Sequence, residues 1–407
     1  METNAKKCGV MVFGSSTLHE VAKGENWPLG GDLVPVTDGY KYLGIWVTPT
    51  LSLAAVVAKN AEKGARICAI LNPILRNIMV PIYTKTLILK AIILPILTYG
   101  AELLGHDRKV PKLARVDADH SGKQSFQMLL GPIKKVYRKV IGTLVQGSSR
   151  RTHCMLTVCR DLNLPSIEAI CTSSKFRALQ KYPNLNTWVS DLSSSKGGRQ
   201  RTWVNCSANT LNRLVKKCQG KGVPDKRAIQ TMTDAELIAK SSAYSNRRYS
   251  RWNLEKTSDY VQNHQARPEL AHGMHWILRL RSDSVWSAKR APGAGLIPKE
   301  YARKCPSCMT CVADTPRHIL VKCKAFSGER TKLIERMCRS TRWRAAYTSC
   351  ASQKAKLKLL LGGVSEEGLA KVWVKRIVKA VSRFACLVLP KHLAQVWRLK
   401  IQPAQHR

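Results

Sequence analysis

Apolar residues in the first fifty positions fall in short runs bounded by turn residues, and beyond Thr50 they recur every three or four. Residues 7–13, 33–36 and 40–47 therefore read as strands. Asp38-Gly39 is a hairpin signal between the last two, because glycine supplies the positive φ of a tight turn. After that, Leu53, Val57, Ala61, Ala65, Cys68 and Leu71 mark one helical face, with Lys59, Lys63 and Arg66 at other positions. A second helix is expected over 81–104. Its centre is very apolar, but Lys85 and Lys90 interrupt it, Pro95 bends it, and its uncharged part falls short of the ~20 residues a bilayer needs. It reads as a core helix. Further helices are expected over 109–122, 126–142, 153–162, 166–181, 209–217 and 369–389, with a break at 163–165 and a Ser/Gly/Arg linker at 193–201. The pattern as a whole predicts a mainly α chain with a small β element at its start.

Charge changes this picture. The 407 residues hold 68 Lys plus Arg against 26 Asp plus Glu, a net of +42, so a polyanionic partner is expected, either nucleic acid or an anionic surface. The excess is uneven: residues 1–50 carry four Lys and five acids, whereas residues 331–407 carry 17 Lys or Arg and three Glu. A hydrophobic content of 44% allows real cores. Nothing near Met1 has the apolar centre of a signal peptide, and most of the 14 cysteines stand alone, which points to a reducing compartment, nucleus or cytoplasm. Cys68, Cys171 and Cys386 sit among apolar neighbours and read as small core residues.

Candidate chemistry is concentrated in residues 305–323. Cys305 and Cys308 form a Cys-x-x-Cys pair, followed by His318 and Cys323, and three thiolates with one imidazole are a donor set for structural Zn²⁺. A short helix from Thr315, with Pro316 in its first turn, would keep His318 and Cys323 roughly on one side. Cys308 and Cys311 form a second Cys-x-x-Cys pair, so Cys311 could replace Cys305. In residues 243–253, Arg247, Arg248 and Arg251 interleave with Tyr249 and Trp252, a pattern that suits phosphate neutralisation and base stacking but also an amphipathic turn with a solvated Arg face. Residues 275–282 set Arg279 and Arg281 against Trp276, Leu278 and Leu280.

The order of several motifs adds a family resemblance. Asn4-x-x-Lys7 before a strand, Tyr40-Lys-Tyr-Leu-Gly44, and helices ending in Ile93-Leu-Pro-Ile-Leu-Thr-Tyr-Gly-Ala-Glu102 resemble the segment after the catalytic core of non-LTR (LINE-type) retrotransposon reverse transcriptases. Leu278-Arg-Leu-Arg281, the Cys308 region, Thr315-x-x-His318-Ile-Leu-x-x-Cys323 and Arg330 resemble the zinc knuckle of that family. The resemblance spans residues 4 to about 335 and is loose between 185 and 270.

The resemblance implies five segments: the end of a palm with a primer-grip-like hairpin (1–48; Tyr40, Tyr42, Leu43 and Gly44), a helical thumb (49–190), a basic linker and helical region (191–298), a CCHC knuckle (299–330) and a basic helical tail (331–407). The family's palm carboxylates, including a paired Asp-Asp, hold two Mg²⁺ ions, and hard cations need such oxygens. No Asp-Asp occurs in this chain, and Asp117 and Asp119 in a helical stretch point to different sides, so no Mg site and no catalysis by this chain alone are expected. With Glu335, Glu366 and Glu367 as its only acids, residues 331–407 are too poor in carboxylates for a nuclease. The expectation is a truncated C-terminal piece that binds RNA or DNA and carries zinc. A piece active only with a separately encoded palm is one alternative. A basic RNP-assembly or membrane-surface protein built on the 369–389 helix is another.

Overall fold

A computed structural model describes residues 8–13, 16–49, 52–104, 129–145, 155–186, 190–191, 203–216, 225–241, 244–252, 254, 259–262, 264–285, 287–289, 291–339, 341–363 and 371–399. It is mainly helical, with two small antiparallel hairpins among the described residues. The chain forms two compact units interleaved along the sequence, Met1–Ile70 with Ala91–Tyr137 and Pro165–Glu236, and Leu71–Lys90 with Arg138–Leu164 and Leu237–Arg407.

In the first unit the β elements depart from the expected pattern. Residues 8–13 form no strand beyond one parallel bridge, Val10 to Val36, and a helix, Ser16–Lys23, follows. One hairpin pairs β1 (Pro28–Leu29) with β2 (Asp32–Leu33) around Gly30-Gly31. The other lies inside 40–47: β3 (Tyr40–Tyr42) pairs with β4 (Ile45–Val47) through a two-residue turn at Leu43-Gly44. Both turn residues have positive φ, 45° and 86°, as this tight turn requires. The turn expected at Asp38-Gly39 is not there. Asp38 instead bonds His19 at 3.0 Å and Lys23 at 2.8 Å, and Gly39 faces the Trp46 ring so closely that a Cβ would lie 2.6 Å from it.

The expected helix at 51–71 runs as Leu53–Arg76. The helix expected over 81–104 is divided into Ile82–Ile88, a π-helical stretch Leu89–Ile93, Leu94–Leu97 and Ala101–Leu104. Gly100, at φ 69°, makes the last break. Helix 166–181 is found as Ile167–Lys181, capped by Ser166, whose Oγ accepts the Ala169 N–H at 3.0 Å. The Ala101–Leu104 and Trp203–Lys216 helices pack on it. Lys226–Lys240 is a helix that the periodicity did not suggest; Asp225 accepts the Ala228 N–H at 2.6 Å at its start. Cys171 is buried, which pushes its thiol up, whereas Cys68 and Cys386 are half-buried. The helix expected at 109–122 and the linker at 193–201 lie outside the described residues.

The second unit is built around the Ala271–Arg281 helix, nearly all of which is buried. Lys371–Arg398 packs along it and turns Ile377, Val378, Val381, Phe384, Val388 and Leu389 inward. The apolar face of that helix over residues 377–389 is therefore largely a core face. No helix among the described residues is long and apolar enough to cross a membrane.

The two helices approach closely at Gly273. A Cβ there would lie 1.6 Å from Ser382 Oγ and 2.8 Å from the Ser382 carbonyl oxygen. Gly273→Ala is expected to destabilise this unit by more than the ~1–3 kcal/mol typical of overpacking, because backbone as well as side chain must move. Denaturant unfolding would show this, and an unchanged midpoint would contradict the packing.

Candidate metal centre

The site starts from a local turn. Cys305 accepts the Met309 N–H at 2.8 Å and donates its own N–H to the Thr310 carbonyl at 3.0 Å, closing the Cys305-Pro-Ser-Cys308 bend. Met309 takes a left-handed conformation, φ 56°, so that the chain can reverse. For a side-chain-bearing residue that costs about 1–2 kcal/mol. Met309→Gly is accordingly expected to keep the site and raise stability slightly, whereas Met309→Val should lower it; thermal unfolding of both variants checks the order.

The second half is supplied by residues 315–323. Thr315 Oγ1 accepts the His318 N–H at 3.2 Å, and Pro316 begins the helical turn. The segment then widens into a π-helix, His318–Lys322, closed by the Cys323 N–H to the His318 carbonyl at 2.7 Å. The widening matters. Five residues of α-helix would leave His318 and Cys323 about 140° apart, whereas the wider i to i+5 turn brings the two nearer to one side. Arg330 Nη2 then holds the Cys323 carbonyl at 2.6 Å.

These segments bring the donor atoms of Cys305, Cys308, His318 and Cys323 within 4.8 Å of one another. Cys305, His318 and Cys323 are buried and Cys308 half-buried, with His318 Nε2 3.3 Å from Cys308 Sγ. Tetrahedral Zn²⁺ with sulfur at about 2.3 Å puts its sulfurs about 3.8 Å apart, within that spread. The donors are tightly linked. A hydrogen bond with Cys323 and burial push the Cys305 thiol up to about 12, and the same bond draws Cys323 down. Hydrogen bonding to Cys305 raises His318 against the effect of burial. A cation takes the place of such shared protons, because coordinating thiols ionise. The cluster could thus hold a metal such as zinc. Cys311 is exposed and stands outside it, so the register with Cys305 is the one that is assembled.

The other sequence candidates are placed differently. Tyr40, Tyr42 and Leu43 are exposed on the β3–β4 hairpin. Tyr99 Oη donates to the Leu43 carbonyl at 2.5 Å, and Asn60 Nδ2 donates to the Tyr99 carbonyl at 2.8 Å. The Tyr-Leu-Gly turn is thereby tied to the Thr98-Tyr99-Gly100 segment, two motifs far apart in sequence.

Most of the basic and aromatic candidates do not lie on the surface. Arg248, Tyr249, Trp252, Arg279 and Arg281 are buried, whereas Arg251 is exposed. For Arg247 only its place in the Tyr244–Arg251 helix is described. Arg281, with no exposed surface, pairs with Asp161 through Nε and Nη2, both at 2.8 Å, and also holds the Leu254 and Leu361 carbonyls. Tyr249 Oη donates to the same Asp161 at 2.7 Å. Burial, and then the Asp161 charge, push that phenol up, so it remains a donor. Arg248 pairs with Asp283 at 2.7 Å and lies over the Trp252 ring. Arg279 lies 4.4 Å from the Trp276 ring centre, and burial lowers it to about 10. Expected as phosphate contacts, these guanidiniums are committed to buried carboxylates, carbonyls and rings, and a guanidinium shut away from solvent does not reach a phosphate.

Sequence reasoning did not find Ser307, Asp314 and His392. His392 Nδ1 lies 2.7 Å from Ser307 Oγ, and its Nε2 lies 2.9 Å from Asp314 Oδ2. The only available signal was that Ser307 and Asp314 fall within the cysteine-rich stretch. Comparison with protein-family models, curated proteins and solved structures finds no match for this chain.

Proposed function

We propose that the chain binds RNA or DNA through basic residues arranged around a zinc-holding Cys305/Cys308/His318/Cys323 cluster, with no polymerase chemistry of its own. In this reading it corresponds to the part of a non-LTR reverse transcriptase that follows the catalytic palm. One observation carries the proposal: beside and just after the last ligand, Cys323, the residues Lys322, Lys324, Lys332, Arg336 and Arg339 are all exposed, and Glu335 is the one exposed acid among residues 318–339. Zinc would fix the turn that presents these charges, and each phosphate neutralised would release counterions. The Tyr40, Tyr42 and Leu43 hairpin would support a primer strand by the same resemblance.

The test is binding of single-stranded RNA and DNA across a salt series, wild type beside Lys332→Glu/Arg336→Glu. Tight binding whose slope against log salt shrinks by about one per contact removed supports the proposal. No binding at low salt, or an unchanged slope, contradicts it.

A second reading, in which a separately encoded palm completes an active polymerase, is favoured by one feature. Phe13, Leu18, Val21, Leu33, Tyr42 and Leu43 are all exposed within residues 13–43. A set of exposed apolar side chains this large suits a protein partner. This reading predicts primer extension only when a palm polypeptide is added; no extension in the mixture would exclude it.

A further inference from the structure

We infer that metal binding at the Cys/His cluster controls the docking of the Lys371–Arg398 helix, through the buried connection Ser307–His392–Asp314; this rests on the cluster being a metal site. Ser307 lies in the turn between Cys305 and Cys308, and Asp314 lies in the segment that joins Cys308 to His318. Both bond the same imidazole, Ser307 Oγ to Nδ1 at 2.7 Å and Asp314 Oδ2 to Nε2 at 2.9 Å. Asp314 Oδ2 also accepts the Ala288 N–H at 2.6 Å. On the other side, Phe326, three residues after Cys323, sets its ring edge-on to His392 at 6.3 Å between centres. Both halves of the cluster therefore hold one residue of a helix whose other contacts are mostly apolar.

The connection resembles a nucleophile with its base, but His392 and Asp314 have no exposed surface. No substrate reaches that pair, so it fastens elements together. The coupling follows from the turn. Three thiols and an imidazole keep their close spacing when a cation binds them all, and without it the Cys305–Cys308 bend loses what fixes it. Ser307 then leaves His392, and a buried imidazole and carboxylate are left partly unpaired. Pro390, two residues before His392, has no N–H to give the helix, so this end depends more on its side-chain anchor. Metal loss at residues 305–323 thereby loosens a helix some seventy residues further along the chain.

The experiment is hydrogen exchange on the full chain, zinc-loaded and after chelation, with zinc content measured for each sample, and with Ser307→Ala alongside. Ser307→Ala removes the hydroxyl and keeps all four ligands. The inference predicts that chelation speeds exchange of residues 377–399 about tenfold, the scale of one buried hydrogen bond. It also predicts that Ser307→Ala retains zinc yet exchanges at nearly the chelated rate in that helix. If zinc is bound and its removal loosens only residues 303–326, the coupling is overturned while the metal site stands. If the wild type takes up no zinc, both fall.

Discussion

Cys305→Ser is expected to abolish metal binding, and Cys311→Ser is expected to leave it intact. Cys305 is fully buried, sits inside the Cys305–Thr310 turn, and presents its sulfur to the other three donors. A serine hydroxyl does not ionise at neutral pH and is a poor ligand for Zn²⁺, so the loss should exceed the roughly 100-fold that removing a mere supporting partner costs. Structural zinc carries on the order of 10 kcal/mol in small metal-dependent domains, so residues 299–326 should open locally in the variant. Metal analysis of both purified variants settles the matter. Retention by Cys305→Ser with loss in Cys311→Ser would move the site to the Cys308/Cys311 pair.

The second large effect is expected away from the cluster. Arg281→Met should destabilise the second unit by about 3–5 kcal/mol, because it leaves the Asp161 carboxylate buried opposite no cation. Asp161 has no exposed surface, and Tyr249, which bonds it at 2.7 Å, cannot neutralise it. The double variant Arg281→Met/Asp161→Leu removes both charges and should recover most of the loss, since apolar replacement of a whole buried pair is often nearly neutral. Denaturant unfolding of the single and double variants gives the comparison. If Arg281→Met were as stable as wild type but bound nucleic acid poorly, Arg281 would be a surface contact after all, and the burial described above would be wrong.

These two predictions mark where sequence was and was not enough. The ligand set was legible because metal chemistry restricts residue type and spacing together, and Cys305, Cys308, His318 and Cys323 satisfy both. Ser166 as a helix start was legible for a similar reason, a hydroxyl at the point where the periodicity begins. The π-turn at 318–322 was not, because nothing in His-Ile-Leu-Val-Lys distinguishes it from an α-turn. The β3–β4 turn was missed because Leu43, not a glycine or asparagine, takes the first left-handed position. The Tyr99 bond to the Leu43 carbonyl, formed 56 residues away, helps to hold that turn.

The burial of Arg248, Arg279 and Arg281 was not legible for the opposite reason. Spacing showed guanidiniums beside aromatics, which suits either a nucleic-acid surface or an amphipathic turn with a solvated Arg face, and a buried arrangement was not foreseen. Asp161 and Asp283, at separations of 120 residues from Arg281 and 35 from Arg248, decide for the core. Long-range partners of this kind leave no local trace. His392 is a further case: a lone histidine in a basic, amphipathic helix gave no sign that it would meet Ser307 and Asp314.

In the proposed function, Cys305, Cys308, His318 and Cys323 together hold one metal ion that organises the basic surface beside them. Titrating metal-free protein with Co²⁺ while recording its visible absorption tests this most directly. Uptake of one ion per chain, with the intense bands of a tetrahedral thiolate-rich site, abolished in Cys305→Ser and displaced by Zn²⁺, is the expected result. Weak octahedral absorption, or no uptake at all, would contradict it and leave the four residues as a thiol cluster without a metal.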